Sequence, residues 1–121
     1  MEFDAGEKRM KGERTTIDVG KQFSDMPFGR DEKDGDSNGL RFRKEFLLDK
    51  LKDYEYVTVD LSNVLGCPSS FADEAFAGLV IYEGFTKEEV IRRLTFISEY
   101  ESIKSNILKY INEAKPASEM R

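Results

Sequence analysis

Histidine is absent from this sequence, and that excludes more chemistry than any other feature. No Ser-His or Cys-His nucleophile pair, histidine-ligated metal site or histidine phosphorelay can form within the chain. Cysteine is nearly absent too: Cys67 is the only one. No internal disulfide can therefore close, which fits a reducing compartment. No apolar run approaches the ~20 residues needed to span a bilayer. Residues 1–13 are too polar to hold the apolar segment of a secretion signal, so the expected compartment is the cytoplasm. A basic excess is missing as well. The formal net charge is −5, and no stripe of Lys and Arg could neutralise a row of phosphates. Neither nucleic acid nor an anionic membrane is an expected partner.

What is present suits one domain. The 121 residues are 39% hydrophobic and 36% charged, with nine Phe and five Tyr. That is enough for one core and too little for two. Residues 1–13 read as a mobile tail, 14–115 as the domain and 116–121 as a second tail. Arg14–Val19 alternates polar with β-branched residues and predicts a strand. From Ser24 to Gly39 the chain holds Pro27, Gly29, Gly35 and Gly39, and predicts a long, mobile loop. Residues 40–53 carry Phe42, Phe46, Leu47 and Leu51 on one face, the pattern of an amphipathic helix. Tyr56–Leu61 predicts a central strand, 69–82 a largely buried helix, and 86–93 a short helix capped by Thr86. Leu94–Ile97 predicts another strand and 99–114 a final amphipathic helix. Strands and helices thus alternate, which implies an α/β fold, an open sheet with crossover helices.

The richest stretch runs from Asp60 through Gly66, Cys67 and Pro68 to Ser69, Ser70, Asp73 and Glu74. It reads as a strand, a short loop and two serines opening an apolar helix. Serines there are N-cap candidates, Ser70 with Asp73 forms a weak capping box, and a phosphate would sit well beside the helix start. Arg30, Arg41 and Arg43 flank the acidic loop; Arg30 and Arg43 with Ser37 are the candidates for holding an anion nearby, and the three arginines could instead pair with Asp31, Asp34 or Asp73. Asp34, Asp36, Asn38 and Glu45 match an EF-hand calcium loop in spacing. The entering helix that motif needs is excluded by Pro27 and Gly29, and Arg41 stands at a normally apolar position, so no metal is expected. The adjacent acids Asp73–Glu74 and Glu88–Glu89 point ~100° apart on a helix and cannot converge. No enzyme and no cofactor is expected.

Beyond these physical patterns, the chain resembles the STAS superfamily, and more closely its STAS-like domain family of unknown function. The residues carrying the likeness are Ile17, Gly20–Phe23, Gly29–Arg30, Gly35, Ser37–Gly39, Phe42–Arg43 and Asp60. It continues through Ser69–Phe71, Glu74–Phe76 and Gly78–Leu79. The resemblance implies a STAS-like open mixed sheet and a regulatory protein-interaction role in bacteria. The partner it implies is a histidine-kinase-like ATPase. In the similar anti-sigma-factor antagonists a serine at the start of this helix is phosphorylated, and Ser69 matches it. Pro68 and Phe71 stand where those antagonists have Asp and Gly, so the likeness speaks more for the fold than for phosphorylation. The alternative reading is a small-anion or calcium-responsive domain built on the 24–39 loop.

Overall fold

The computed structural model describes residues 10–119. Three strands, β1 (Met10–Asp18), β2 (Tyr54–Asp60) and β3 (Leu94–Ile97), form a sheet in the order β1-β2-β3. Both pairings are parallel: Arg14 meets Tyr56 and Asp18 meets Asp60, while Val57 meets Leu94. The α/β class is as expected. A mixed sheet would contain an antiparallel pair, and none occurs among the described residues. Parallel neighbours need crossovers, and these supply the helices.

A short helix α1 (Val19–Gln22) follows β1. Helix α2 (39–53) leads into β2, and α3 (69–83) and α4 (Lys87–Arg93) connect β2 to β3. Helix α5 (Glu101–Glu113) closes the chain. Because β1, β2 and β3 are added in one direction, the right-handed crossover rule puts α2 and α3 on the same face. Burial agrees. Val57, Val59, Leu94 and Phe96 are buried, whereas Tyr56, Thr58 and Asp60 are half-buried and Thr95 and Ile97 exposed. One face of the sheet is core, and the other meets solvent with polar side chains.

Helix α3 lies at the centre of the helical layer, with α2 and α5 both against it. Phe71, Phe76 and Leu79 have no exposed area, as the apolar circumference of this segment predicts. Phe76 meets Phe96 edge-on at 5.0 Å, and Phe42 stacks near Phe46 and Phe71 at 5.7 Å. Phe23 completes this cluster from the end of α1.

Three expectations are corrected by the backbone. Strand β1 begins at Met10, four residues before the predicted start, with a bulge between Met10 and Arg14. Residues 10–13 are therefore strand rather than tail; the tail expected over 1–9 lies outside the described residues. At the other end, Ala117–Glu119 forms one 3-10 turn. Finally, α2 and α3 are not regular. Each contains a π turn, Arg43–Leu47 in α2 and Asp73–Ala77 in α3, where the Leu48 and Gly78 N–H groups reach back five residues. A π turn inserts one residue and shifts every later side chain around the helix.

The two π turns face each other, and Arg43 fills the space between them. It is 2% exposed. Its guanidinium donates to the Glu74 carbonyl and lies 3.1 Å from the Glu74 carboxylate and 2.9 Å from that of Glu83. The Tyr82 ring covers it, 5.1 Å away. Two glycines permit this approach. A β-carbon at Gly78 would collide with the Arg43 guanidinium, and one at Gly39 would stand 2.7 Å from the Phe71 carbonyl oxygen.

A second buried arginine closes the N-terminal end of the sheet. Arg93 is 3% exposed and donates to the carbonyls of Leu51, Tyr54 and Glu55 at 2.6–2.9 Å, where α2 turns into β2. Its charge is met by Glu89 at 3.1 Å. Among the described residues no helix is long and apolar enough to cross a membrane.

Candidate functional site

At the C-terminal ends of the strands three loops come together. They are residues 23–38 after α1, 61–68 after β2 and 98–100 after β3. A hydrogen bond ties the first two, Leu65 N–H donating to the Asp25 carbonyl at 2.7 Å, and Asn63 Nδ2 fastens the second to the end of β1 by donating to Asp18 Oδ2 at 2.8 Å. The predicted mobile loop is closed on itself. Phe28 N–H donates to Ser37 O, Gly39 N–H to Gly29 O, and Arg30 N–H to Asp34 Oδ2. Asn38, 4% exposed, caps α2 through Oδ1 and holds the Gly35 carbonyl through Nδ2. A buried amide satisfied on both sides anchors a loop more firmly than its glycine content suggests.

These loops present apolar side chains to solvent. Met26 is 63% exposed, Phe28 57%, Leu65 76% and Tyr100 64%. Met26, Pro27, Phe28, Leu65, Gly66 and Pro68 line a hollow of about 250 Å³. Leu65 and Gly66 also line a second hollow, closed by Leu61, Tyr100 and Ile103. Leu65 thus stands on the ridge between the two. Apolar residues scattered singly need no explanation, but neighbours around a concavity make a candidate binding surface. In open α/β sheets, this carboxyl end of the strands is where ligands are held. Reasoning by periodicity passed over the patch, because loops have no period. The available signal was four large apolar residues within segments that follow strands.

Ser69 borders this surface and is exposed, while Ser70 is half-buried. Neither is the N-cap. Pro68 takes that position without a side-chain bond, leaving Ser69 as the first helical residue. This correction follows from proline's fixed φ, which suits a helix entrance. Asp73 is paired with Arg30 at 2.9 Å, the pairing weighed above as the alternative to anion binding. That hydrogen bond outweighs desolvation and holds the Arg30 guanidinium still more firmly protonated. Arg43 lies in the buried network with Glu74 and Glu83 rather than beside the loop. Ser37 contributes its backbone carbonyl, to Phe28.

Of the calcium-pattern residues, Asp36, Asn38 and Glu45 line one hollow, which they share with Arg41 and Lys44, and Asp34 is not among its lining. Asp34 accepts from Arg30 N–H and Asn38 from Arg41 N–H. Glu45 pairs with Arg41 at 3.1 Å, and the same guanidinium donates to the Asp36 carbonyl. An arginine therefore occupies the side of the loop where the pattern would place a cation. Among the described residues, no three of Cys, Asp and Glu form a metal-holding group. Burial pushes the Cys67 thiol up to about 11, so it stays protonated at neutral pH and is a poor nucleophile.

Sequence reasoning missed the partners of Arg43. Glu83 is one of them. Burial would raise its carboxyl, but hydrogen bonds from Lys44 and Arg43 together with their charges hold it below the ordinary value.

No curated protein and no solved structure matches the chain with significance. A family model does match, over residues 38–104, and is described as a STAS-like domain of unknown function (DUF4325). The matched segment contains both π turns, β2, β3 and the helix that Ser69 opens, and by it this chain belongs to that STAS-like family.

Proposed function

We propose that this protein is a non-catalytic interaction module whose partner docks on the C-terminal edge of the sheet, over Met26, Phe28, Leu65 and the first turn of α3. The observation that carries this reading is Leu65, 76% exposed between two hollows on well-anchored loops. An exposed apolar side chain on a hydrogen-bonded loop at a strand's carboxyl end is suited to anchor a partner. The likeness to anti-sigma-factor antagonists supports a regulatory partner, a kinase-like ATPase. The exposure of Ser69 at the rim leaves its hydroxyl open to a kinase, and a phosphate there would bring about −1.5 to −2 charges to the docked edge.

The test is affinity capture from the native cell with wild type, Leu65→Glu, Ser69→Arg and Ile91→Ser. Ile91 is another exposed apolar residue, 43% accessible, on α4 near the opposite end of the sheet. Loss of the same partner with Leu65→Glu and Ser69→Arg, and retention with Ile91→Ser, is the expected pattern. Loss only with Ile91→Ser would move the surface to the other end. Arg43→Ala is unsuited to this test, because the residue is structural.

A further inference from the structure

Charge is distributed unevenly around the proposed surface. The segments that frame it, 18–38, 60–68 and 97–101, hold nine acidic residues against three basic ones. The whole chain holds 24 against 19, so everything else holds 15 against 16. The protein's negative charge is thus gathered at one end of the sheet. These acids are Asp18, Asp25, Asp31, Glu32, Asp34, Asp36, Asp60, Glu99 and Glu101. Among the described residues none of them enters an ion pair. Elsewhere the carboxylates of Glu45, Glu55, Asp73, Glu74, Glu83 and Glu89 are each met by an arginine or lysine, while Asp49, Asp53, Glu88, Glu113 and Glu119 are dispersed along the other elements without ion pairs among the described residues.

Like charges gathered without counter-ions repel one another and raise the free energy of the folded state. Around an apolar hollow they also form the rim of an interface and choose the sign of what may approach. We infer that the partner segment is cationic and amphipathic. Its apolar side chains seat between Phe28, Leu65 and Tyr100, while its Lys or Arg side chains lie over Asp25 and Glu99, which border the hollows at Leu65. This rests on the proposed docking surface and adds the chemistry of what binds there. An acidic segment with the same apolar face is repelled, and a basic segment without one finds attraction but no anchor.

The probes are three synthetic helical peptides: a Leu/Lys amphipath, its Leu/Glu counterpart and a Ser/Lys peptide without an apolar face. Each is titrated into the full chain, with affinity from calorimetry and location from backbone amide shifts. The Leu/Lys peptide should bind at least ~10-fold more tightly than either other peptide, a gap of about 1.4 kcal/mol. Its shifts should cluster in 24–36, 62–70 and 97–101, and its affinity should fall with added salt as the rim charges are screened. Leu65→Ser should weaken it, and joint Asp25→Lys and Glu99→Lys should transfer the preference to the Leu/Glu peptide. Equal binding of Leu/Glu on the same residues overturns the cationic partner while the docking surface stands. Equal binding of Ser/Lys reduces the effect to bare charge attraction and overturns the inference. Shifts confined to other faces overturn both the inference and the surface.

Discussion

At the N-terminal end of the strands, Arg93 gathers three backbone carbonyls from the turn between α2 and β2 and pairs with Glu89. At the C-terminal end the loops are equally well bonded, yet the side chains they hold outward are Met26, Phe28, Leu65 and Tyr100. Both ends satisfy their backbone. They differ in what is left over: the first meets its buried guanidinium with three carbonyls and a carboxylate, the second leaves apolar area without cover. Order and closure are therefore separate properties. A loop can be firmly held and still be unfinished as a surface, which is what a binding site built on a rigid scaffold requires.

The sharpest way to calibrate that contrast is to damage the shared core between the two ends. Phe76→Ala should cost roughly 3–5 kcal/mol, the range for removing a buried phenyl ring; denaturant unfolding would read it. A loss under about 1 kcal/mol would mean that α3 is not the centre of the core. Arg43→Ala comes close behind, at roughly 3–5 kcal/mol for breaking a buried charged network. Here the melt should fall well before partner capture is affected. At the closed end, Arg93→Ala should cost about 2–3 kcal/mol, because hydrogen bonds from a charged donor are worth ~1.5–3 kcal/mol and its acceptors lose them together.

A pH titration refines the middle of the series. The folded Glu83 carboxyl lies below its ordinary 4.5, so its contribution is complete above that value and is lost as pH falls through the folded value. The stability gap between wild type and Glu83→Gln should therefore narrow below about pH 4.5. A gap that stays constant to pH 3 would show that the Arg43 and Lys44 contacts are not what holds Glu83 ionised. The smallest effect belongs to the open end. Leu65→Ser should change stability by no more than ~0.5 kcal/mol, as for surface positions generally. A larger loss would mean that Leu65 is part of the core, and the contrast between the two ends would disappear.

Much of the fold was legible because it is periodic. Strand β3 was predicted over the same residues it occupies, and β2 and α3 to within a few residues, since alternation and apolar spacing report burial directly. The π turns were not legible. A helical wheel advances by a fixed angle, so it cannot register an inserted residue, and Arg43 read as a candidate for holding an anion when it is the charge between two helices. The candidate site divided similarly. Ser69 was found from its place in the strand-loop-helix stretch, and the Arg30–Asp73 pair was among the alternatives weighed. The patch around Leu65 was not found, because which loop residues converge depends on how three distant segments are brought together.

The register of the sheet also bears on how the chain reaches this state. Arg14 meets Tyr56 and Val57 meets Leu94, so each sheet contact joins residues about forty positions apart, and no hairpin offers a local start. Closing loops of that size costs entropy before any contact repays it, which slows folding. The pieces able to form first are local, α2 running directly into β2 and α4 directly into β3. On this view β2 waits, with both edges unpaired, until β1 and β3 arrive from opposite directions along the chain. During that interval its Val57 and Val59 are open to wrong partners. The time the protein spends vulnerable to aggregation is thus set by its topology, whatever the stability of the finished fold.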